Sequence, residues 1–148
     1  MARRLIRKVG LEKLVSLLVA EHRTMADGLE RARQAVLADD FPTASLELSA
    51  LESTFKQHIA DEEAQLLRVL IGAYGVDGAR EEIRVFQQHR PIHALMETVK
   101  KLAALPPEEL AARESELSSL FAEHTLAEER IVFPRALDAS KVKPRPTG

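Results

Sequence analysis

The sequence predicts an all-α fold, an up-down-up-down antiparallel four-helix bundle, on three observations. Ala, Leu, Glu and Arg dominate the chain, while aromatics make up only 4% and Trp is absent, which favours helix over strand. Apolar residues recur at helical spacing through four successive segments. Short turn signals separate those segments, as neighbouring antiparallel helices require. At 148 residues the chain is one domain, long enough to bury a proper core.

The first helix is expected from Gly10 to Ala38, with Leu11, Leu14, Val15, Leu18, Met25, Leu29 and Val36 on its apolar stripe. It stops at Asp39-Asp40-Phe41-Pro42, where Pro42 suits a first helical position. The second runs to Tyr74 and carries Leu48, Leu51, Phe55, Leu66 and Val69; Gly75 then ends it. The third starts near Asp77, a plausible N-cap, and carries Ile83, Phe86, Met96 and Val99. Pro91 lies inside it, removes one backbone hydrogen bond and is expected to bend it between His89 and His93, aiming side chains. It ends before Pro106-Pro107. The fourth opens with Pro107-Glu108-Glu109, acidic in its first turn as the helix dipole prefers, and carries Leu117, Phe121 and Ile131 until Pro134 kinks or ends it. The bundle therefore spans residues 10–139, between a basic N-terminal arm at 1–9 and a flexible tail at 140–148.

Bulk properties exclude several function classes. A formal net charge of −2 gives no reason to expect nucleic acid, and the basic Met1–Lys8 stretch reads as a solvated arm. With no cysteine, disulfides, thiolate chemistry and Cys-ligated zinc or Fe–S sites are out. The apolar run Leu14–Ala20 is far shorter than the ~20 residues a membrane span takes. It also continues into Glu21-His22-Arg23, unlike a cleaved secretory signal. A cytoplasmic protein with no membrane association is expected; the oligomeric state is left open.

All five histidines fall at metal-ligand spacings: His22, His58, His89, His93 and His124. His58 precedes Glu62 by four residues, His89 precedes His93 by four, and His124 precedes Glu128 by four. Residues four apart share a helix face and can hold one ion. Each also falls on an apolar stripe, so ionisable groups replace core residues in mid-bundle on every helix. Burying them without partners costs several kcal/mol each. A single His-x-x-x-Glu is weak evidence, more often a hydrogen-bonded pair. Two of them, with a His-x-x-x-His and one further stripe histidine, outweigh a metal-free network of His–Glu hydrogen bonds.

An internal repeat strengthens the pattern. His22 to His58 is 36 residues and His89 to His124 is 35. Glu21-His22-Arg23 echoes Gln88-His89-Arg90, and the Glu62-Glu63 pair echoes Glu128-Glu129. The two halves read as helical hairpins with pseudo-twofold symmetry. His93 breaks it, since its counterpart is Ala26. If Glu62 and Glu128 bridge two ions together with one solvent-derived oxygen, the ion on His89, His93 and His124 has six ligands. The ion on His22 and His58 has five, and keeps an open position for a small molecule. Imidazole and carboxylate at high coordination number suit iron best, with manganese or a mixed Mn/Fe pair as the alternative, whereas zinc prefers four ligands. Ferritin-like di-iron proteins use Glu-x-x-His and more carboxylates, so the order and spacing here differ.

These motifs, His58-x3-Glu62-Glu63, His89-Arg-Pro-Ile-His93 and His124-x3-Glu128-Glu129-x-Ile-x-Phe133-Pro134, resemble those of the hemerythrin-like, His-His-Glu cation-binding family over about Leu11 to Leu137. The resemblance implies a four-helix bundle around a non-haem, oxo- or hydroxo-bridged di-iron centre, and chemistry with O₂, NO or peroxide. It makes His22, His58, Glu62, His89, His93, His124 and Glu128 the ligands, the set also reached from spacing. Oxygen-carrying hemerythrins usually place an aspartate five residues after the last histidine. Here position five is Glu129 and position four is Glu128, and Glu128 is favoured because it matches the Glu62 repeat. The departure makes iron binding firmer than reversible O₂ carriage. Binding of O₂ or NO for storage or sensing is the first expectation. Consumption of peroxide or NO by a di-iron enzyme is the second, and iron sensing or donation the third. Five histidines against two carboxylates favour binding over oxidative catalysis. Met25, Met96, Phe55, Phe86 and Phe121 are expected to be core residues that wall the pocket. Tyr74 is expected far from it, and Glu63 and Glu129 are expected to face solvent.

Overall fold

A computed structural model describes residues 9–101 and 104–141. All regular structure among them is helical, and the helices pack as a bundle. Helix α1 is Leu11–Leu37, α2 Phe41–Asp61, α3 Leu67–Gly78, α4 Arg80–Gln87, α5 His89–Val99, α6 Pro107–Ala127 and α7 Phe133–Ala139. A wider π turn, Glu62–Leu66, joins α2 to α3, and a second, Glu128–Val132, joins α6 to α7. The chain thus makes four helical runs. Helix α1 packs on α2 and α6, α5 on α6 and α2, and α3 on α7. No described helix is long and apolar enough to cross a membrane. The expected N-terminal arm lies outside the described residues except for Val9, and the expected tail except for Ser140 and Lys141.

Local chemistry explains the joints. Asp39 turns the chain after α1 with φ +56°, a left-handed conformation that aspartate tolerates better than bulky residues. The amide of Asp40 then bonds back to the Ala35 carbonyl at 2.8 Å. The Asp40 carboxylate accepts from the Thr43 amide at 3.2 Å and caps α2, with Pro42 in the first turn. Gly75 takes φ +73°, ψ 171°, a conformation that needs glycine, and breaks the run within α3 as expected.

Two expectations about proline are corrected. The break in the third run falls at Gln88, before His89, rather than between His89 and His93. Pro91 has no N–H to offer the carbonyl four residues back, at Gln87, so the helix is interrupted there and Gln88 bonds back to Val85 instead. Pro134 does not end the fourth run, which continues to Ala139. The π turn before it is no proline effect either: the equivalent turn after Glu62 has Arg68 at the matching position.

The apolar core forms two clusters. One gathers Met25, Leu29, Phe55, Ile92, Met96 and Phe121 with their neighbours. The other gathers Leu14, Leu18, Leu66, Phe86, Val132 and Phe133 with theirs. On every run the chain passes from one cluster to the other at a histidine: His22 between Leu18 and Met25, His58 between Phe55 and Leu66, His89 between Phe86 and Ile92, His124 between Phe121 and Val132. A buried polar layer thereby separates two oily ones. The π turn also re-aims the fourth run. Ile131, expected on the stripe, is only half-buried, while Val132 and Phe133 are buried in its place.

Candidate metal centre

His22, His58, Glu62, His89, His124 and Glu128 converge in that layer, each between 0 and 4% exposed. They form two groups of four donors. One is His22, His58, Glu62 and Glu128; the other is His89, His124, Glu62 and Glu128. Both carboxylates belong to both groups. Glu62 Oε1 lies 3.3 Å from His58 Nε2 and 3.1 Å from His89 Nε2. Glu128 Oε1 lies 3.0 Å from His22 Nε2 and 3.1 Å from His124 Nε2. The Nε2 atoms of His22 and His58 face each other at 3.1 Å.

Hydrogen bonds do not account for this packing. Both oxygens of Glu62, Oε2 of Glu128 and the Nε2 atoms of His89 and His124 are buried without a hydrogen-bond partner, despite near contact distances. Orphaned groups of this kind cost about 1–3 kcal/mol each, more when charged. Lone pairs that point past one another to a shared centre are what a cation satisfies. The donor set therefore fits a pair of metal ions.

The outer faces of the imidazoles complete the arrangement. His22 Nδ1 lies 2.9 Å from Glu129 Oε2, and His89 Nδ1 lies 3.2 Å from Glu63 Oε1. His58 Nδ1 lies 3.1 Å from Glu21 Oε1, and His124 Nδ1 lies 2.9 Å from Gln88 Oε1. Each Nδ1–H donates outward to an oxygen, which leaves the Nε2 lone pair facing the centre, the tautomer a metal-bound histidine uses. The pattern follows the repeat. Residues just before His22 and His89 hold the later histidine of their own half, and residues just after Glu62 and Glu128 hold the first histidine of the other half. The expectation that Glu63 and Glu129 simply face solvent is corrected: both are partly exposed, and both reach inward to a ring nitrogen. The Glu-His and Glu-Glu echoes in the sequence were the signal for these outer partners.

A family model, hemerythrin HHE cation binding domain, matches residues 13–136. The chain belongs to the hemerythrin HHE cation-binding family. No match was found among curated proteins or among solved structures. Buried His/Glu clusters that can hold a cation are thus set in a hemerythrin-family helical bundle.

His93 is set apart from these clusters. It is 40% exposed, and its Nε2 lies 3.8 Å from Glu52 and 3.6 Å from Glu97. Four residues advance a helix by about 6 Å. Within α5, His93 lies about one turn beyond His89, beside Glu52 and Glu97. Of the seven residues expected as ligands, the structure brings six together and sets His93 apart.

Charge coupling within the cluster is strong. Burial opposes an ionised Glu62, but the positive charges of His58 and His89 beside it hold its carboxyl well below the usual range. Burial also opposes a charged His58, and Glu62 and Glu21 outweigh it, lifting this imidazole above its ordinary value. His124 is pushed down, first by burial and then by the charge of His89. Aromatic rings close the surroundings. Phe133 stacks on His22 with centroids 5.4 Å apart, and Phe86 stacks on His89 at 5.6 Å. Phe55 meets His89 edge-on at 6.0 Å. Tyr74 packs instead beneath the Arg135 guanidinium, in contact with the second apolar cluster.

Proposed function

We propose that this chain is a non-haem di-iron protein that binds O₂, or a related small molecule such as NO, for storage or sensing. One observation carries the reading: two groups of four buried donors share Glu62 and Glu128. His22 and His58 would hold one ion, His89 and His124 the other, with Glu62 and Glu128 common to both. We read the four helical runs as up-down-up-down and antiparallel around this centre. The alternation of the two apolar clusters along the chain supports that.

When bound, iron supplies reversible electron donation to a diatomic ligand, which no side chain here provides. The residues do the rest. Glu129, Glu63, Glu21 and Gln88 fix the four imidazoles in the ligating tautomer. Phe133, Phe86 and Phe55 exclude water around the rings, so charge developing near the centre is poorly solvated. Each group offers four protein donors, fewer than a six-coordinate iron takes, so positions remain for an exogenous molecule.

If His93 stays outside the set, the ion on His89 and His124 also keeps open positions, which favours a second reading, consumption of peroxide or NO. One experiment decides first between centre and no centre: metal content and absorption of protein purified without added metal and exposed to air. About two irons per chain with intense near-ultraviolet bands supports the reading. No stoichiometric metal after anaerobic Fe(II) reconstitution refutes it. A reversible spectral change with O₂ then favours the binder, and turnover of peroxide or NO favours the enzyme.

A further inference from the structure

The pseudo-twofold repeat gives the bundle two matching faces. In the first, α1 and α6 flank an open groove of about 350 Å³, lined by Ala26, Leu29, Ser118, Phe121, Ala122 and Glu129 among others. In the second, the positions matching Ala26, Ser118 and Ala122 are His93, Glu52 and Lys56. Each is larger, and there Lys56 and Lys100 close on Glu52 at 3.6 and 2.9 Å. One face thus keeps small residues where the other is filled by long side chains.

The groove ends against the polar layer. Glu129 lines it, and Glu129 Oε2 lies 2.9 Å from His22 Nδ1. Leu29 and Phe121 line it too, although they are only 3% and 2% exposed, and both belong to the apolar cluster that holds Met25 and Phe55. Its floor is therefore core, and its end is the outer partner of a ligand histidine.

We propose that this groove is the entry for a neutral diatomic ligand to the His22–His58 side of the centre, and that Ala26 and Ala122 set the size it admits. The proposal rests on the di-iron reading above. A water molecule needs only about 10–15 Å³ of cavity, so the groove has ample room for a diatomic. An uncharged, apolar molecule gains by leaving water for the floor of Leu29 and Phe121, so it collects there, beside the centre. Met25, three residues after His22 on α1, is buried in the same cluster. Its unbranched side chain turns about three bonds and yields a path more readily than a branched residue does. Ala26 and Ala122 stand exposed on opposite walls, one on α1 and one on α6, so larger side chains there narrow the mouth without replacing a metal donor.

The test separates rates from affinity. Wild type, Ala26→Leu, Ala122→Leu and the double variant are loaded with Fe(II) without air, and their iron is counted. Stopped-flow mixing with NO then gives the association rate, and a chase gives the dissociation rate. Leucine keeps a helix nearly as well as alanine does, and both positions are exposed, so the fold should hold. The double variant is expected to bind and release NO about tenfold more slowly, equivalent to about 1.4 kcal/mol in the entry barrier. Its affinity and iron content are expected to match wild type, because an obstacle on the path slows both directions alike. Unchanged rates at equal iron overturn the entry and leave the centre standing. An altered affinity also overturns it, since the leucines then act on the centre rather than on the path. Wild type that takes up no iron, or that holds iron and binds no NO, refutes the di-iron reading and the entry with it.

Discussion

His22 Nδ1 meets Glu129 Oε2 at 2.9 Å, and Glu129 directly follows the buried Glu128. Adjacent glutamates on a helix point about 100° apart. One therefore enters the polar layer, while the next rides its rim and turns the opposite histidine. The same relation joins Glu63 to His89 after Glu62. Removing such an outer partner lets the ring rotate and changes the tautomer balance without removing a ligand. Glu129→Ala is expected to weaken metal retention about 10–100-fold. Glu129 is 36% exposed, so the fold should hold. Competition against a graded series of chelators measures the loss, and retention equal to wild type would show that the contact does not position His22.

A shared carboxylate behaves differently from an outer one. Glu62 belongs to both groups of donors, so Glu62→Ala is expected to abolish binding at both positions. Glu128→Ala is expected to do the same. Elemental analysis of the purified variants is the check. Two metals per chain in Glu62→Ala would refute the sharing, and a chain that keeps its metals without Glu128 but not without Glu129 would reverse their assignment.

The legibility of this site was uneven for physical reasons. Periodicity exposes whatever sits on an apolar stripe, so His22, His58, Glu62, His124 and Glu128 were readable from spacing alone. His89 and His93 are equally good candidates by spacing, because a four-residue step keeps one face of an ideal helix. The step also advances the chain by about a turn, and which end of the pair meets the polar layer lies outside what periodicity reports. The outer carboxylates were harder to see. Glu63 and Glu129 sit off the stripe, where a solvated face is the ordinary meaning of a charge, and only the tertiary fold brings them to a ring nitrogen. The same limit explains Ile131: a π turn slips the face by one residue and leaves no composition signal.

Gly75 is the one described glycine with positive φ, at φ +73° and ψ 171°. A Cβ added there meets nothing within 4 Å, so any cost of substitution is conformational rather than steric contact with a neighbour. Gly75→Ala is expected to destabilise the fold by about 1–3 kcal/mol. Metal stoichiometry should be unchanged, since the break lies beyond Leu70, away from the polar layer. Urea unfolding of the two chains measures this, and an unaltered midpoint would mean that the joint relaxes to an ordinary conformation.

Glu114 gives the pH prediction. It is 2% exposed, and its main hydrogen-bond donor is the Ser118 hydroxyl, at 3.3 Å. Burial pushes its carboxyl pKa above the ordinary 4.5, and the nearby Arg33 only partly offsets this. The folded state therefore holds this proton more tightly than the unfolded state does. The resulting stabilisation is complete below pH 4.5 and is lost as pH rises through the folded value. At neutral pH the fold carries a buried carboxylate with little compensation. Glu114→Gln removes that charge and keeps an oxygen for Ser118. The variant is expected to melt about 3 °C higher at pH 7, equivalent to about 1 kcal/mol, with the gain gone by pH 4. Melting curves of the metal-free proteins across that range make the comparison without interference from metal release. Equal melting at pH 7, or a gain that persists at pH 4, would show that the Glu114 charge is already compensated in the fold.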